Sequence, residues 1–225
     1  MLCITIVDYI GRLLEVETLE HESQAGFGTA QVNVAQFDPS LADLESKLGD
    51  WISKALAAPD LLVGLSRLRQ KLEWAVLHGR ISLPDRFRVV QPDRYARRLV
   101  YEDPSAGVSV LAMVWAPGQC TPLHDHSGLW GVEAVLAGEI ETVPFELTGE
   151  QNGQYFFHAG PPERVPVGST SYVIPPFEHH VTRNVSQQVA ITLNIYGGVM
   201  PACNIFLPTG PGAYIRQRRL LTYSD

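Results

Sequence analysis

Two histidines separated by one residue, His124 and His126, constrain this chain more than any other feature. They lie in the stretch from Gly118 to Gly138, where Thr121-Pro-Leu-His-Asp-His126 reads as extended chain. Side chains two apart on a strand share a face. Two imidazoles one strand step apart can therefore hold a single metal ion, and a third ligand must come from elsewhere. Glu178-His-His-Val-Thr-Arg-Asn184 offers the best candidate.

The surrounding sequence favours a sheet-built support for such a site. From Arg86 onward, short runs rich in Val, Ile, Leu, Tyr and Phe alternate with Pro, Gly, Asp and Ser. Strands are expected at 95–102, 107–115, 119–124, 130–137, 139–146, 153–158, 170–175, 179–184 and 188–196. Many short strands at regular spacing indicate a β-sandwich or barrel. No nucleotide-type glycine loop opens a helix, which disfavours a doubly wound fold. Beyond Tyr196 the chain reads as a Pro/Gly-rich tail with a basic end at Arg216, Arg218 and Arg219.

Ahead of the strands the period changes. Leu41, Leu44, Leu48, Trp51, Ile52, Ala55 and Leu56 recur at helical spacing, with Ser40 expected as the N-cap. Leu61, Leu62, Leu65, Leu68, Leu72, Ala75 and Val76 form a second stripe, capped by Asp60 and closed at Gly79. These stripes are expected to be core. The chain thus divides into an N-terminal extension (1–38), a helical lead-in packed on the barrel (39–85) and a β-barrel (86–225).

Composition removes several function classes. With 17 basic against 24 acidic residues the net charge is −7, which gives no electrostatic reason for a nucleic acid or an anionic membrane as partner. Three cysteines without a Cys-x-x-Cys spacing argue against a disulfide framework and fit a reducing, cytoplasmic compartment. Cys120 reads as a small buried hydrophobe. The apolar opening, interrupted by Asp8 and without a basic start, reads as neither a signal peptide nor a membrane span.

Gly118-x5-His124-x-His126-x4-Gly131-x6-Gly138 resembles the first cupin motif, with Gly131 where most cupins carry a glutamate ligand. His180-x3-Asn184, preceded by Pro175, resembles the end of the second motif, with Phe177 in place of its glycine. The resemblance implies a jelly-roll barrel that brings His124, His126 and His180 together. Glu133 is set aside as a ligand on its offset. His180 is preferred to His179, which would face the other side of its strand. His21, His78 and His158 fit no ligand spacing. Three neutral imidazoles suit Fe(II), Zn(II), Cu(II) or Ni(II) and leave positions open for a chelating substrate.

Over about residues 95–196 the chain is similar to the type I cysteine dioxygenases. The resemblance rests on Tyr95-Ala-Arg97-Arg-Leu-Val100, His124-Asp-His126, His180-x3-Asn184 and Leu193-Asn-Ile-Tyr196. It implies an Fe(II) cofactor, O2 and a small thiol acid as partners, and a sulfinate product. It further implies Arg97 as the grip on the substrate carboxylate, Tyr196 as the active-site tyrosine and Tyr95 as pocket wall. The family's cross-linking cysteine is Gly131 here, as in many bacterial members, so no Cys–Tyr cofactor is expected. The usual Ser-x-His-x-Tyr is Thr192-x-Asn194-x-Tyr196. Cysteine is the first expected substrate, with 3-mercaptopropionate or mercaptosuccinate as alternatives. A non-thiol metal cupin and a non-catalytic small-acid-binding cupin are the rival classes. The sequence is silent on oligomeric state.

Overall fold

The computed structural model describes residues 38–224. The chain divides into Met1–Phe37 and Asp38–Asp225, and all the described helices and strands belong to the second unit. The acidic and Gly/Ala-rich stretches before Asp38, with Cys3 and His21, lie outside the described residues.

Among the described residues two helices come first, α1 (Pro39–Leu56) and α2 (Leu61–Leu77). The cap of α1 is Asp38 rather than Ser40: the Asp38 carboxylate accepts the N–H groups of Ser40 and Leu41 at 3.0 and 3.4 Å. Pro39 explains the shift, because a proline suits the first helical position, where no N–H is needed. Asp60 caps α2 as expected, accepting the Val63 N–H at 3.1 Å. At the far end His78 is the cap and Gly79, at φ +62°, follows it. Arg80 N–H then reaches Ala75 C=O at 2.7 Å and Gly79 N–H reaches Val76 C=O at 3.0 Å, the paired bonds that a left-handed glycine permits.

Twelve strands follow a single turn of 3-10 helix. They are β1 (Ala96–Asp103), β2 (Val108–Trp115), β3 (Leu123–His124), β4 (Gly131–Ala137), β5 (Glu139–Gln151), β6 (Gln154–Ala159), β7 (Glu163–Pro166), β8 (Thr170–Val173), β9 (His180–Asn184), β10 (Ala190–Tyr196), β11 (Ala202–Gly210) and β12 (Ala213–Leu220). One sheet runs β1-β2-β10-β4-β8 and the other β6-β12-β11-β3-β9-β5-β7, with β5 also paired to β6. Together they form the expected jelly-roll barrel, mainly β with an N-terminal helical segment. The expected strand at 119–124 shrinks to two residues, because Pro122 has no N–H to give a ladder. Cys120 forms an isolated bridge to Arg183.

Alternation along the first sheet decides what faces the interior. Ile191, Leu193 and Ile195 of β10 join Val110, Ala112 and Val114 of β2 in the core that also holds Leu48, Leu65 and Leu72 of the helices. The helices therefore cover the outer face of this sheet. Thr192, Asn194 and Tyr196 have the other parity and point into the barrel.

The tail beyond Tyr196 is a correction. Residues 202–220 form the hairpin β11–β12, and β11 pairs with β3 through Ile205–His124. This hairpin supports the strand that carries the first histidine.

Candidate metal centre

His124 and His180 are direct partners across β3 and β9. Facing residues of an antiparallel pair are close enough for their side chains to meet. Their ring centroids are 4.7 Å apart, and His126, just past β3, lies 4.9 Å from His124 and 5.0 Å from His180. The ligand nitrogens of all three fall within 4.8 Å of one another. Two motifs far apart in the chain thus meet at one point.

The electrostatics suit a cation. Burial pushes the pKa of all three imidazoles below the usual histidine range, furthest for His126 and His180, so each is a neutral donor. The His124 Nδ1 is 3.1 Å from the Pro122 carbonyl, which fixes the proton there and leaves Nε2 as a lone pair. The His126 Nδ1 is buried without a hydrogen-bond partner, a cost that a bound ion accounts for. The donor set and this orphaned nitrogen fit a divalent transition metal.

Two carboxylates brace the centre from behind. Glu178 Oε2 accepts the His126 backbone N–H at 2.6 Å and lies 3.7 Å from its Nδ1. Asp125, between the two histidines, turns away and accepts the Asn204 N–H at 2.8 Å and the Asn204 Nδ2 at 2.6 Å. That bond ties the His-x-His segment to β11. His179 points to the opposite side of its strand, against Phe157 and Phe206 at 5.1 and 5.4 Å.

The family model for cysteine dioxygenase type I matches residues 34–208. The chain belongs to the cysteine dioxygenase type I family. The family is one of dioxygenases, and the three-histidine group is one that could hold a metal ion.

Solved structures similar to this family member share little sequence. A protein of Thermus thermophilus is 22% identical over 52% of this chain and 94% of that one, with a TM-score of 0.39. An oxalate oxidase in complex with the substrate analogue glycolate is 21% identical over 48% and 53% of the two chains, with a TM-score of 0.38. An uncharacterised double-stranded β-helix protein of Klebsiella pneumoniae is 19% identical over 52% and 88%, with a TM-score of 0.39.

The residues implied by the resemblance to the cysteine dioxygenases fall around the histidines unequally. Tyr95, Tyr196, Thr192 and Asn194 line one small cavity, about 30 Å³, together with His124 and His180. Tyr95 stacks on Trp115 at 4.3 Å, and the Tyr196 ring lies 5.8 Å from that of His126. Burial, with Glu133 nearby, pushes the Tyr196 hydroxyl well above its usual pKa, so it is a proton donor rather than a phenolate. Asn194 donates to Thr192 Oγ1 at 2.9 Å. Arg97 is buried on the inner face of β1, but it is not among the residues lining this cavity. Its guanidinium reaches the Thr222 carbonyl at 3.5 Å and lies 5.8 Å from the Tyr223 ring centroid. Its charge nevertheless acts on Tyr95 and Tyr196, opposing the rise in both.

Glu133, set aside as a ligand, is outside the three-histidine group and yet lines the cavity. It stands two residues after Gly131, on the same face of β4. Burial raises its carboxyl to about 7, against the Ser171 hydroxyl, which holds it down. It is not part of the three-histidine group. Glu178 is a further brace that ligand spacing does not single out. The one signal for it in the sequence is its place two residues before His180.

Gly131 lies against Tyr196. A Cβ at this glycine would stand 3.0 Å from Cδ1 and Cε1 of the ring.

Proposed function

We propose that this protein is an iron-dependent thiol dioxygenase that converts a small thiol carboxylic acid, cysteine foremost, to its sulfinate. The observation that carries the reading is the convergence of His124, His126 and His180 in a chain of the cysteine dioxygenase type I family. The three imidazoles would hold Fe(II). When bound, the ion supplies the charge that keeps a thiol ionised and a common point at which the thiol and O2 are brought together.

The remaining work falls to the chain. Arg97 would bind the substrate carboxylate through its planar fork. Its buried position beside Tyr95 and Tyr196 supports this, although its side chain must swing from Thr222 toward the cavity. Tyr196, kept protonated by burial, would donate its O–H to the substrate or to oxygen in the cavity. Tyr95, stacked on Trp115, would wall the pocket and help exclude water. Thr192 and Asn194 bond to each other, so they take the place of the family's Ser/His pair without a group that gains a proton near neutral pH.

The test is oxygen uptake by anaerobically Fe(II)-loaded protein offered cysteine, 3-mercaptopropionate and mercaptosuccinate, with sulfinate quantified. Uptake matched by sulfinate and abolished in His180→Ala is the expected result. Bound iron with no uptake on any thiol would overturn the reading.

A further inference from the structure

Arg97 is a buried cation whose partners are weak. It is 6% exposed, and it takes part in none of the ion pairs among the described residues. A buried charge is costly until an opposite charge meets it. Its guanidinium reaches a neutral acceptor, the Thr222 carbonyl, at 3.5 Å, which is long for a hydrogen bond. The Tyr223 ring lies 5.8 Å away, near the limit of a cation–π contact. Both partners belong to the short segment that follows β12.

Residues 221–224 have no regular structure and cross from one sheet to the other. Leu221 N–H donates to the Pro201 carbonyl at 2.8 Å, beside β11, and Ser224 N–H donates to the Arg97 carbonyl on β1 at 2.6 Å. The Ser224 hydroxyl accepts the Arg97 N–H at 3.1 Å and donates to Gln91 Oε1 at 3.2 Å. Three successive residues of this strap, Thr222, Tyr223 and Ser224, therefore engage one arginine. Tyr223 and Ser224 also border an open groove of about 600 Å³, shared with Leu41, Glu45, Arg86 and Phe87, which gives the strap room to move. A segment held by few bonds beside open space is released at low cost. The cavity beside the histidines, by contrast, is about 30 Å³, room for about two or three waters. The charge of Arg97 is nevertheless felt by Tyr95 and Tyr196, which line that cavity.

We propose that residues 222–224 are a strap that competes with the substrate carboxylate for Arg97. The strap holds the guanidinium by default, and a carboxylate takes it over. A charged acceptor bonds roughly twice as strongly as a neutral one, and it supplies the opposite charge that a carbonyl and a phenol ring do not. Strap and substrate cannot both hold the same guanidinium, so each weakens the other. The apparent affinity for a thiol acid is lowered by the fraction of molecules in which Arg97 is released. A thiol without a carboxylate does not enter this competition. The inference rests on the thiol dioxygenase reading above, with Arg97 as the grip, and adds to it a segment which that reading does not use.

The experiment is anaerobic equilibrium binding of 3-mercaptopropionate and of 2-mercaptoethanol, which has no carboxylate, to the Fe(II)-loaded protein. It compares the unmodified chain with Tyr223→Ala, which removes the ring beside the guanidinium, and Ser224→Ala, which removes the hydroxyl that takes the Arg97 N–H. Sulfinate formation is measured alongside. Each variant is expected to bind 3-mercaptopropionate about three- to tenfold more tightly, the worth of one lost strap contact, and 2-mercaptoethanol with unaltered affinity. The sign decides, because a segment that merely supported Arg97 would weaken binding when loosened. Hydrogen exchange at the Ser224 amide of the unmodified protein is a second readout that needs no variant to fold. It is expected to speed up about threefold or more with 3-mercaptopropionate and to stay constant with 2-mercaptoethanol. Equal or weaker binding of 3-mercaptopropionate in either variant, an equal gain for 2-mercaptoethanol, or constant exchange at Ser224 overturns the inference. If thiols are oxidised to sulfinates and these results are found, this inference alone has failed. If no thiol binds or reacts, the dioxygenase reading has failed and takes this one with it.

Discussion

Glu178 Oε2 holds the backbone N–H of His126 at 2.6 Å and stands 3.7 Å from the same residue's ring nitrogen. One buried carboxylate therefore fixes the main chain of a histidine of the three-imidazole group and stands beside its ring. Groups that orient a ligand in this way govern its affinity for the ion. Glu178→Ala is expected to weaken metal binding by about 10- to 100-fold. Glu178→Gln, which keeps an oxygen for the His126 N–H, is expected to lose less. A chelator competition titration reads both. Equal affinity in the alanine variant and the unmodified protein would show that the carboxylate orients nothing.

Asp125 performs a different task from its neighbours. Its carboxylate accepts from Asn204 N–H, Asn204 Nδ2 and Ser127 N–H, the last at 3.1 Å. Removing it leaves three donors without their acceptor at the joint between the His-x-His segment and β11. Asp125→Ala is expected to destabilise the fold by about 2–3 kcal/mol, since a lost charged acceptor strands its partners. Urea unfolding measures this. A change below about 0.5 kcal/mol, the range of an ordinary surface substitution, would contradict it.

The parts of the structure that are legible in the sequence are those carried by period and spacing. The two apolar stripes form α1 and α2, and the parity of β10 separates Ile191, Leu193 and Ile195 from Thr192, Asn194 and Tyr196. The two histidine motifs meet because β3 and β9 pair. What escapes a sequence reading is set by pairing rather than period. The β11–β12 hairpin is a strand with a buried start, Ala202 and Cys203, laid beside an arginine-rich one that is mostly exposed. Such a strand has no apolar alternation to announce it. Glu133 escapes because an acid in a strand is ordinarily assigned to solvent, and only the closed barrel turns that face inward. The Asp38 cap escapes because Ser40 also fits a cap when Pro39 is overlooked.

Glu133 also leaves a signature in stability. Its folded-state pKa of about 7 lies above the ordinary carboxyl value of 4.5. Between those values the folded chain holds a proton that the unfolded chain has released. Stability contributed by this group is therefore present below pH 4.5 and is lost as pH rises through 7. The buried histidines act in the opposite sense, since their lowered pKa values favour the fold as pH rises. The comparison is thus the difference between the metal-free unmodified protein and metal-free Glu133→Gln. The variant is expected to gain up to about 3 kcal/mol relative to the unmodified protein between about pH 5 and pH 8. Thermal melts at the two pH values read the difference. A constant difference would place the carboxyl in water.

The contact of Gly131 with Tyr196 makes the last case. Tyr196 is 1% exposed, and a methyl at position 131 would come to 3.0 Å from its ring and 3.4 Å from Val173 Cβ. The ring has little room to yield, because overfilling a packed interior forces side chains off their preferred angles. Gly131→Ala should therefore cost about 1–3 kcal/mol and displace the phenol from its place beside His126. If the Tyr196 hydroxyl serves the oxidation of a thiol, sulfinate formation should fall in the same variant while bound iron is retained, because the three imidazoles lie on other strands and turns. Iron content, melting temperature and sulfinate yield are measured on one preparation. Lowered stability with an unaltered rate would remove Tyr196 from the reaction and leave it as packing.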